Sequence, residues 1–409
     1  MVYLDYSATT KTNSEVLDTF IKCSNEFIGN PNSLHKLGVN SKNIIESATN
    51  QIISLLNLNN HEIIYTSGAT ESNNLAIKGI CEKYKNRGNH IITTELEHSS
   101  IYGPINDLIK NGFKVEYVKL DSNGLVDLND LDSKINDNTI LVSIGAVNSE
   151  IGILQPINEI SNIIKKYPKC IFHSDMTQLV GKIKIDINNI DLISFSAHKF
   201  YGVKGIGALI KNKKIELTPQ ITGGSSTTIY RSGTPSLPLI VSMSKALRLS
   251  LLDIDSKYNK VKELNEYIKK HLNIYEKVII NSNYNSIPHI LNISILGVKP
   301  ETMLHALEKY DIYISTKSAC SSNDSKSKAV YALTNNLENS LHSIRISLSY
   351  LTTKEEVDYF LDKFDICYKE LTSLKNWFYI NFFTLHKKCK IYKYINNTID
   401  NATYRFGII

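Results

Sequence analysis

Six short apolar runs, Ile63–Thr66, His90–Thr93, Val115–Val118, Ile140–Ser143, Ile171–His173 and Leu192–Ser196, alternate with helix-like stretches such as Glu71–Lys85 and Tyr102–Asn111. Runs this short, with little polar alternation, suit strands buried on both faces, and intervening helices are the usual connection between parallel strands. The pattern predicts an α/β fold with a mainly parallel central sheet. Ligands of such sheets sit beyond the carboxyl ends of the strands. The residues that directly follow each run are therefore the first candidates for chemistry.

After about residue 250 the pattern changes. A helical stretch, Met243–Leu272, leads to the apolar run Ile287–Ile295, a helix-like Glu301–Lys309 and a polar segment around Cys320, which predicts a second, smaller α+β domain. Residues 371–409 form a basic, aromatic extension without a catalytic signal. Lys and Arg are nearly balanced by Asp and Glu, leaving a net charge of +6, too little for a nucleic-acid footprint. The six cysteines are scattered, with no CxxC pair and no Cys/His metal spacing. That fits reduced thiols in a cytoplasmic protein better than a disulfide framework or a zinc site. The opening Met-Val-Tyr-Leu-Asp-Tyr-Ser reads as a strand and not as a signal peptide. No run of about 18 apolar residues occurs, so no membrane span is expected.

The strand ends carry the chemistry. Ser196-Ala197-His198-Lys199 closes one run, where a Schiff-base lysine would gain a fixed position and a short tether. Asp175, in Asp175-Met176-Thr177-Gln178, follows another; it suits a partner for a protonated pyridine nitrogen, or simply a helix N-cap. Thr66-Ser67-Gly68-Ala69-Thr70-Glu71 opens a helix with small residues and hydroxyls, suited to a phosphate or to an ordinary capping turn. His98, after Glu97, is placed to stack on a ring and help move protons, with a structural histidine as the alternative. Cys320 stands in a small, polar stretch that reads as a mobile loop, where a thiol is exposed and ionisable. Arg345, flanked by apolar residues, suits either a substrate carboxylate or a structural salt bridge.

Taken in order and spacing, these segments resemble the NifS/IscS-type cysteine desulfurases, class-V aminotransferase relatives of the pyridoxal-phosphate (PLP) fold type I. The resemblance runs from residue 2 to about residue 365. It is carried by Tyr3–Thr10, Gly29–Ser33 with His35, Thr66–Glu71, Glu97-His98, Val147–Gly152, Asp175–Gln178, Ser196–Lys199, Arg231–Thr234, Ser318–Cys320 and Arg345. It implies a large PLP-binding domain over residues 15–250 and a small domain from residues 1–14 and 251–370 that carries the cysteine loop. Lys199 would hold the cofactor and Ala69, Thr70, Ser196 and His198 its phosphate, with Thr234 reaching in from the other subunit of a homodimer. Asp175 and Gln178 would tune the ring. Free L-cysteine would bind with its carboxylate on Arg345 and Asn30, and Cys320 would take its sulfur as a persulfide, releasing alanine. A sulfur-acceptor or scaffold protein would then receive that sulfur for iron–sulfur cluster assembly or nucleic-acid thiolation.

Three departures from the family pattern stand out. Ser149 occupies a position where the family reads Asn, so a contact to the ring oxygen is made by serine or missing. Gly223-Gly224 continues as Ser-Ser-Thr-Thr-Ile-Tyr, and the tail after residue 370 does not match the family's C-terminus. A selenocysteine lyase, another class-V enzyme and a non-catalytic scaffold are the competing readings. The presence of both Lys199 and Cys320 argues against the last.

Overall fold

The computed structural model describes residues 1–184, 186–316 and 326–373. Among these, twelve strands appear in chain order: β1 (Val2–Tyr3), β2 (His61–Thr66), β3 (His90–Thr93), β4 (Lys114–Tyr117), β5 (Thr139–Ser143), β6 (Ile171–Asp175), β7 (Leu192–Ser196), β8 (Gly207–Asn212), β9 (Val278–Ile280), β10 (Ile290–Ile295), β11 (Ile312–Tyr313) and β12 (Ser343–Ser347). Seven build the main sheet in the order β2-β8-β7-β6-β5-β3-β4. Only β8 runs against the rest, pairing antiparallel with both β2 and β7. The expected α/β architecture with a mainly parallel sheet is therefore present.

Successive strand residues feed opposite faces, as the pleat requires. Ile64, Ile91, Leu141, Ile171, Leu192 and Leu209 pack under the helices Ala69–Tyr84 and Ser99–Lys110. Their neighbours Ile63, Ile92, Val142, Phe172, Ile193 and Ile210 face a larger cluster with the helices Lys36–Leu55, Ile157–Ile164 and Leu237–Leu251. Burial on both faces explains why the runs lack alternation in sequence.

A separate core joins Leu4 with Val261, Ile268, Leu291, Ile293, Ile346, Phe360 and Phe364. Its sheet is antiparallel, with β10 between β9 and β12. The short β1 pairs with β11, Val2 opposite Ile312, and the Ser347 N–H donates to the Leu4 carbonyl at 2.7 Å. From there residues 5–10 cross to the main sheet, where the Thr10 N–H donates to the His198 carbonyl at 2.9 Å.

Two local expectations need correction, and one strand carries little signal of its own. The run Val115–Val118 is not buried on both faces: β4 is an edge strand with Lys114, Glu116 and Tyr117 exposed. Met243–Leu272 is not one helix but the end of one, Leu237–Leu251, and the whole of a second, Ile254–Leu272, broken at Asp253, whose φ of 52° is left-handed. The strand β8 was not anticipated, because Gly207-Ala208 at one end and Lys211-Asn212 at the other leave only Leu209-Ile210 as an apolar signal. Cys320 and residues 374–409 lie outside the described residues.

Candidate active site

The carboxyl ends of β2, β3, β5, β6 and β7 open on one cavity of about 640 Å³, closed on the far side by Ser7–Thr9 and Arg345. At one end of it the helix Ala69–Tyr84 begins. Its N-cap is Gly68, which has no side chain to offer, so no side chain satisfies the first-turn N–H groups. Glu71, in that first turn, is drawn aside: its carboxylate accepts from the Ser67 N–H at 2.8 Å and from Arg231 Nε at 2.9 Å. Burial opposes ionisation of Glu71, but Arg231 and Ser67 outweigh it and hold the carboxyl below its usual range. A Cβ at Gly207 would come within 2.7 Å of Gly68 Cα, so glycine is what lets β8 pass this close to the turn.

Ala69, Thr70, Ser196, His198 and Lys204 line the same end. Burial, together with Lys199, Lys204 and Lys182, pushes His198 down to about 4 and keeps its ring neutral. Helix N–H groups, hydroxyls and a lysine around one concavity are the donor set a phosphate needs. This end fits the phosphate of the implied cofactor.

The other end is different. Asp175, last residue of β6, accepts from the Thr177 N–H at 2.9 Å and from Asn73 Nδ2 at 2.7 Å. No helix starts at Asp175, so the N-cap alternative falls. Asn73 Nδ2 also donates to Ser100 Oγ at 2.9 Å, and Ser100 Oγ lies 2.8 Å from His98 Nδ1. His98 is the N-cap of the helix Ser99–Lys110, and burial lowers its pKa. Glu97 beside it accepts from the Gly145 N–H and the Thr94 hydroxyl, while burial raises its carboxyl to about 7.

Between the two ends lies Lys199, in the short turn Ala197–Lys199 after β7. Its Nζ donates to the carbonyls of Ser7 and Ala8, both at 2.7 Å. Gln178 Nε2 donates to the same Ser7 carbonyl at 2.9 Å, and Gln178 Oε1 accepts from Lys182 Nζ at 2.6 Å. Burial, then the charges of Lys199 and Arg345, push Lys182 down to about 7. Arg345 is 2% exposed and pairs with Asp5 at 2.7 Å while donating to the Ser149 carbonyl at 2.9 Å. The salt-bridge alternative for Arg345 is thus realised, at the wall of the cavity; its Nε has no partner.

The cavity therefore gathers Ala69, Thr70, His98, Ser149, Asp175, Gln178, Ser196, His198, Lys199 and Arg345. Asn30 and Thr234 are exposed and do not line it in their own chain. Cys320 is outside the described residues. The sequence assigns no role to Asn73, Ser100, Ser7 or Lys182. For Lys182 a signal existed, since it stands four residues after Gln178. Asn73 meets Asp175 across 102 residues, which no local pattern reveals.

The family described as Aminotransferase class-V matches residues 2–360. The cysteine desulfurase IscS of Buchnera aphidicola is 41% identical over 385 residues, covering 92% of this chain and 94% of its own. A solved NifS-like protein superposes with a TM-score of 0.84 at 33% identity, over 91% of this chain and 99% of its own. A structure described as SspA in complex with cysteine superposes with a TM-score of 0.75 at 30% identity, over 86% of this chain and 100% of its own.

Proposed function

Because the chain belongs to the class-V aminotransferase family and is a PLP-dependent cysteine desulfurase acting on L-cysteine, we propose that Lys199 holds the cofactor and Cys320 receives the sulfur. The observation that carries this assignment of residues is the meeting of Lys199, Asp175 and the uncapped helix start at Gly68 in one cavity. PLP, when bound, supplies a carbonyl carbon that takes up an amine and a ring that accepts electron density.

The chain's own residues divide the remaining work. Lys199 provides the amine at a fixed strand end. Asp175 would hold a proton on the ring nitrogen. Gln178, its oxygen held by Lys182 and one amide N–H by the Ser7 carbonyl, would offer its other N–H to the ring oxygen, and Ser149 would add a hydroxyl at the cavity wall. Ala69, Thr70, Ser196 and His198 take the phosphate. Arg345, at the cavity wall, takes the substrate carboxylate. The Cys320 thiolate then attacks the substrate sulfur. A sulfur–sulfur bond forms as the substrate's carbon–sulfur bond breaks, the carbon gains a proton, and alanine leaves with a persulfide on Cys320. A sulfur-acceptor protein, serving cluster assembly or tRNA thiolation, takes the terminal sulfur.

A homodimer belongs to the same proposal, with Thr234 entering the cavity of a second copy. Supporting it, Ile28, Leu34 and Ile229 are exposed apolar residues in two segments joined by a hydrogen bond from Ser226 Oγ to Asn32 Oδ1 at 2.7 Å. The division into residues 15–250 and residues 1–14 with 251–370 is supported by the two separate cores. A cytoplasmic setting is supported by the free thiols Cys23, Cys81, Cys170 and Cys367. Among the described residues no helix is long and apolar enough to cross a membrane.

The test is to incubate purified protein with L-cysteine and a thiol reductant and to follow sulfide and alanine. Equal amounts of both, with the persulfide on Cys320 by mass spectrometry, are expected. Persulfide on another cysteine would remove Cys320 from its role.

A further inference from the structure

A chain of hydrogen bonds crosses the ring side of the cavity and ends on His98. It starts at Asp175, whose Oδ2 lies 2.7 Å from Asn73 Nδ2. An ionised carboxylate only accepts, so the Asn73 amide must turn its NH2 toward it; the flipped amide would set two oxygens in repulsion. The same Nδ2 lies 2.9 Å from Ser100 Oγ, which uses its second hydrogen. The Ser100 hydroxyl therefore accepts from Asn73, and its own hydrogen is left for His98 Nδ1 at 2.8 Å. The Ser100 backbone N–H also faces Nδ1, at 3.2 Å. Two donors on one ring nitrogen require a lone pair there, so the imidazole proton sits on Nε2.

We infer that Asn73, acting through Ser100, is a positioning residue that holds His98 as the neutral Nε2–H tautomer. Asn73 is fully buried and its Oδ1 has no partner, so the amide serves through its two donor hydrogens alone. The charges around His98 are those of Asp175, Lys199, Glu150 and Arg345, of mixed sign, and burial outweighs them in favouring the neutral ring. His98 lines the cavity, so what it presents there is an N–H donor and not a basic lone pair. To act as a base it would have to accept at Nδ1 against two donors. Asp175 thereby sets two things at once: the charge it turns toward the ring and, through Asn73, the tautomer of the neighbouring imidazole.

The functional meaning rests on the active-site reading above; the tautomer itself does not, and the test separates them. The holoenzyme is labelled with ¹⁵N-histidine, its two-bond proton–nitrogen correlations are recorded at neutral pH, and His98→Gln assigns the signals. The expected pattern is Nε2 protonated and Nδ1 bare. Asn73→Leu frees the Ser100 hydroxyl to accept from an Nδ1–H, and Ser100→Ala removes a donor. Each should shift the tautomer ratio about tenfold, the equivalent of one hydrogen bond. Ser100→Thr keeps the hydroxyl and should restore the wild-type pattern. A wild-type spectrum with the proton on Nδ1 overturns the inference even if no variant folds. So does an unchanged ratio in folded Asn73→Leu and Ser100→Ala. Sulfide release plays no part in either readout, so its absence would count against the proposed function alone.

Discussion

The two ends of the cavity are built in different ways. At the ring end Asp175 accepts from the Thr177 backbone N–H and from Asn73, and Asn73 leads on to Ser100 and His98, so side chains of β6 and of two helices are tied together. At the phosphate end the helix Ala69–Tyr84 starts without a side-chain cap, and the donors there are main-chain N–H groups, short hydroxyls and Lys204. The ring end sets charge and proton positions before anything binds, through long-range pairs that are expensive to rebuild. The phosphate end relies on a helix terminus, which any small residue can continue to form. Errors at the first should therefore damage chemistry, and errors at the second should weaken cofactor retention.

The largest expected effect lies at the junction of the two ends. Lys199→Ala should abolish turnover and the visible, borohydride-reducible absorption of the holoenzyme. A variant that keeps a reducible band and still consumes cysteine would take Lys199 out of the comparison.

Behind the ring end stands Lys182, buried, its pKa lowered from 10.5 to about 7. The unfolded state holds this proton more tightly than the folded state, so stability rises with pH between about 7 and 10 and is lowest below that window. Lys182→Met should lose that slope. The stability difference between the two proteins should move toward wild type by on the order of 3 kcal/mol from pH 7 to pH 10, read by denaturant melts. Parallel curves would mean that Lys182 is not desolvated as its surroundings require.

Asp175→Asn against Thr70→Ala is the direct contrast. Loss of a charged hydrogen-bond partner is worth about 1.5–3 kcal/mol, so Asp175→Asn should lower kcat by about 10- to 150-fold. Thr70→Ala removes one neutral donor and should weaken PLP affinity about five- to tenfold, with kcat at saturating PLP nearly intact. If both variants change the same parameter, the two ends are not distinct in function.

The smallest effect belongs to Ser149. Its backbone carbonyl accepts from Ser7 Oγ and Arg345 Nη1. An asparagine reaches further than a serine hydroxyl, so Ser149→Asn should tighten PLP binding or shift the pH titration of the visible band, with at most about a tenfold change in turnover. Identical titrations and affinities would leave Gln178 alone on the ring oxygen.

How much of this was legible in advance follows the same division. The strands β3 and β7 appear with the bounds that their apolar runs predict, because burial on both faces leaves an unbroken hydrophobic record. Asp175, His198 and Lys199 were visible because they directly follow such runs. The interior of a helix gives no such cue: Asn73 looks like any polar helical residue until the fold brings β6 beside it. The edge strand β4 is mostly exposed, and β8, though buried, has only two central apolar residues, so neither announces its surroundings in sequence. The break at Asp253 depends on a single left-handed residue, a conformation that asparagine and aspartate adopt without a local signature.

The pairing of β1 with β11 also orders events during synthesis. Val2 lies opposite Ile312, and Leu4 is tied to Ser347, so the amino-terminal strand must wait for partners roughly 310 residues later in the chain. At about 5–20 residues per second, that delay is on the order of 15–60 s on the ribosome. The carbonyls of Ser7 and Ala8, which meet Lys199, hang from this late-docking strand. A nascent chain can complete the main sheet by Asn212 and still lack the far wall of its pocket. Completion of the pocket is accordingly timed by the synthesis of β12, well after that of Lys199.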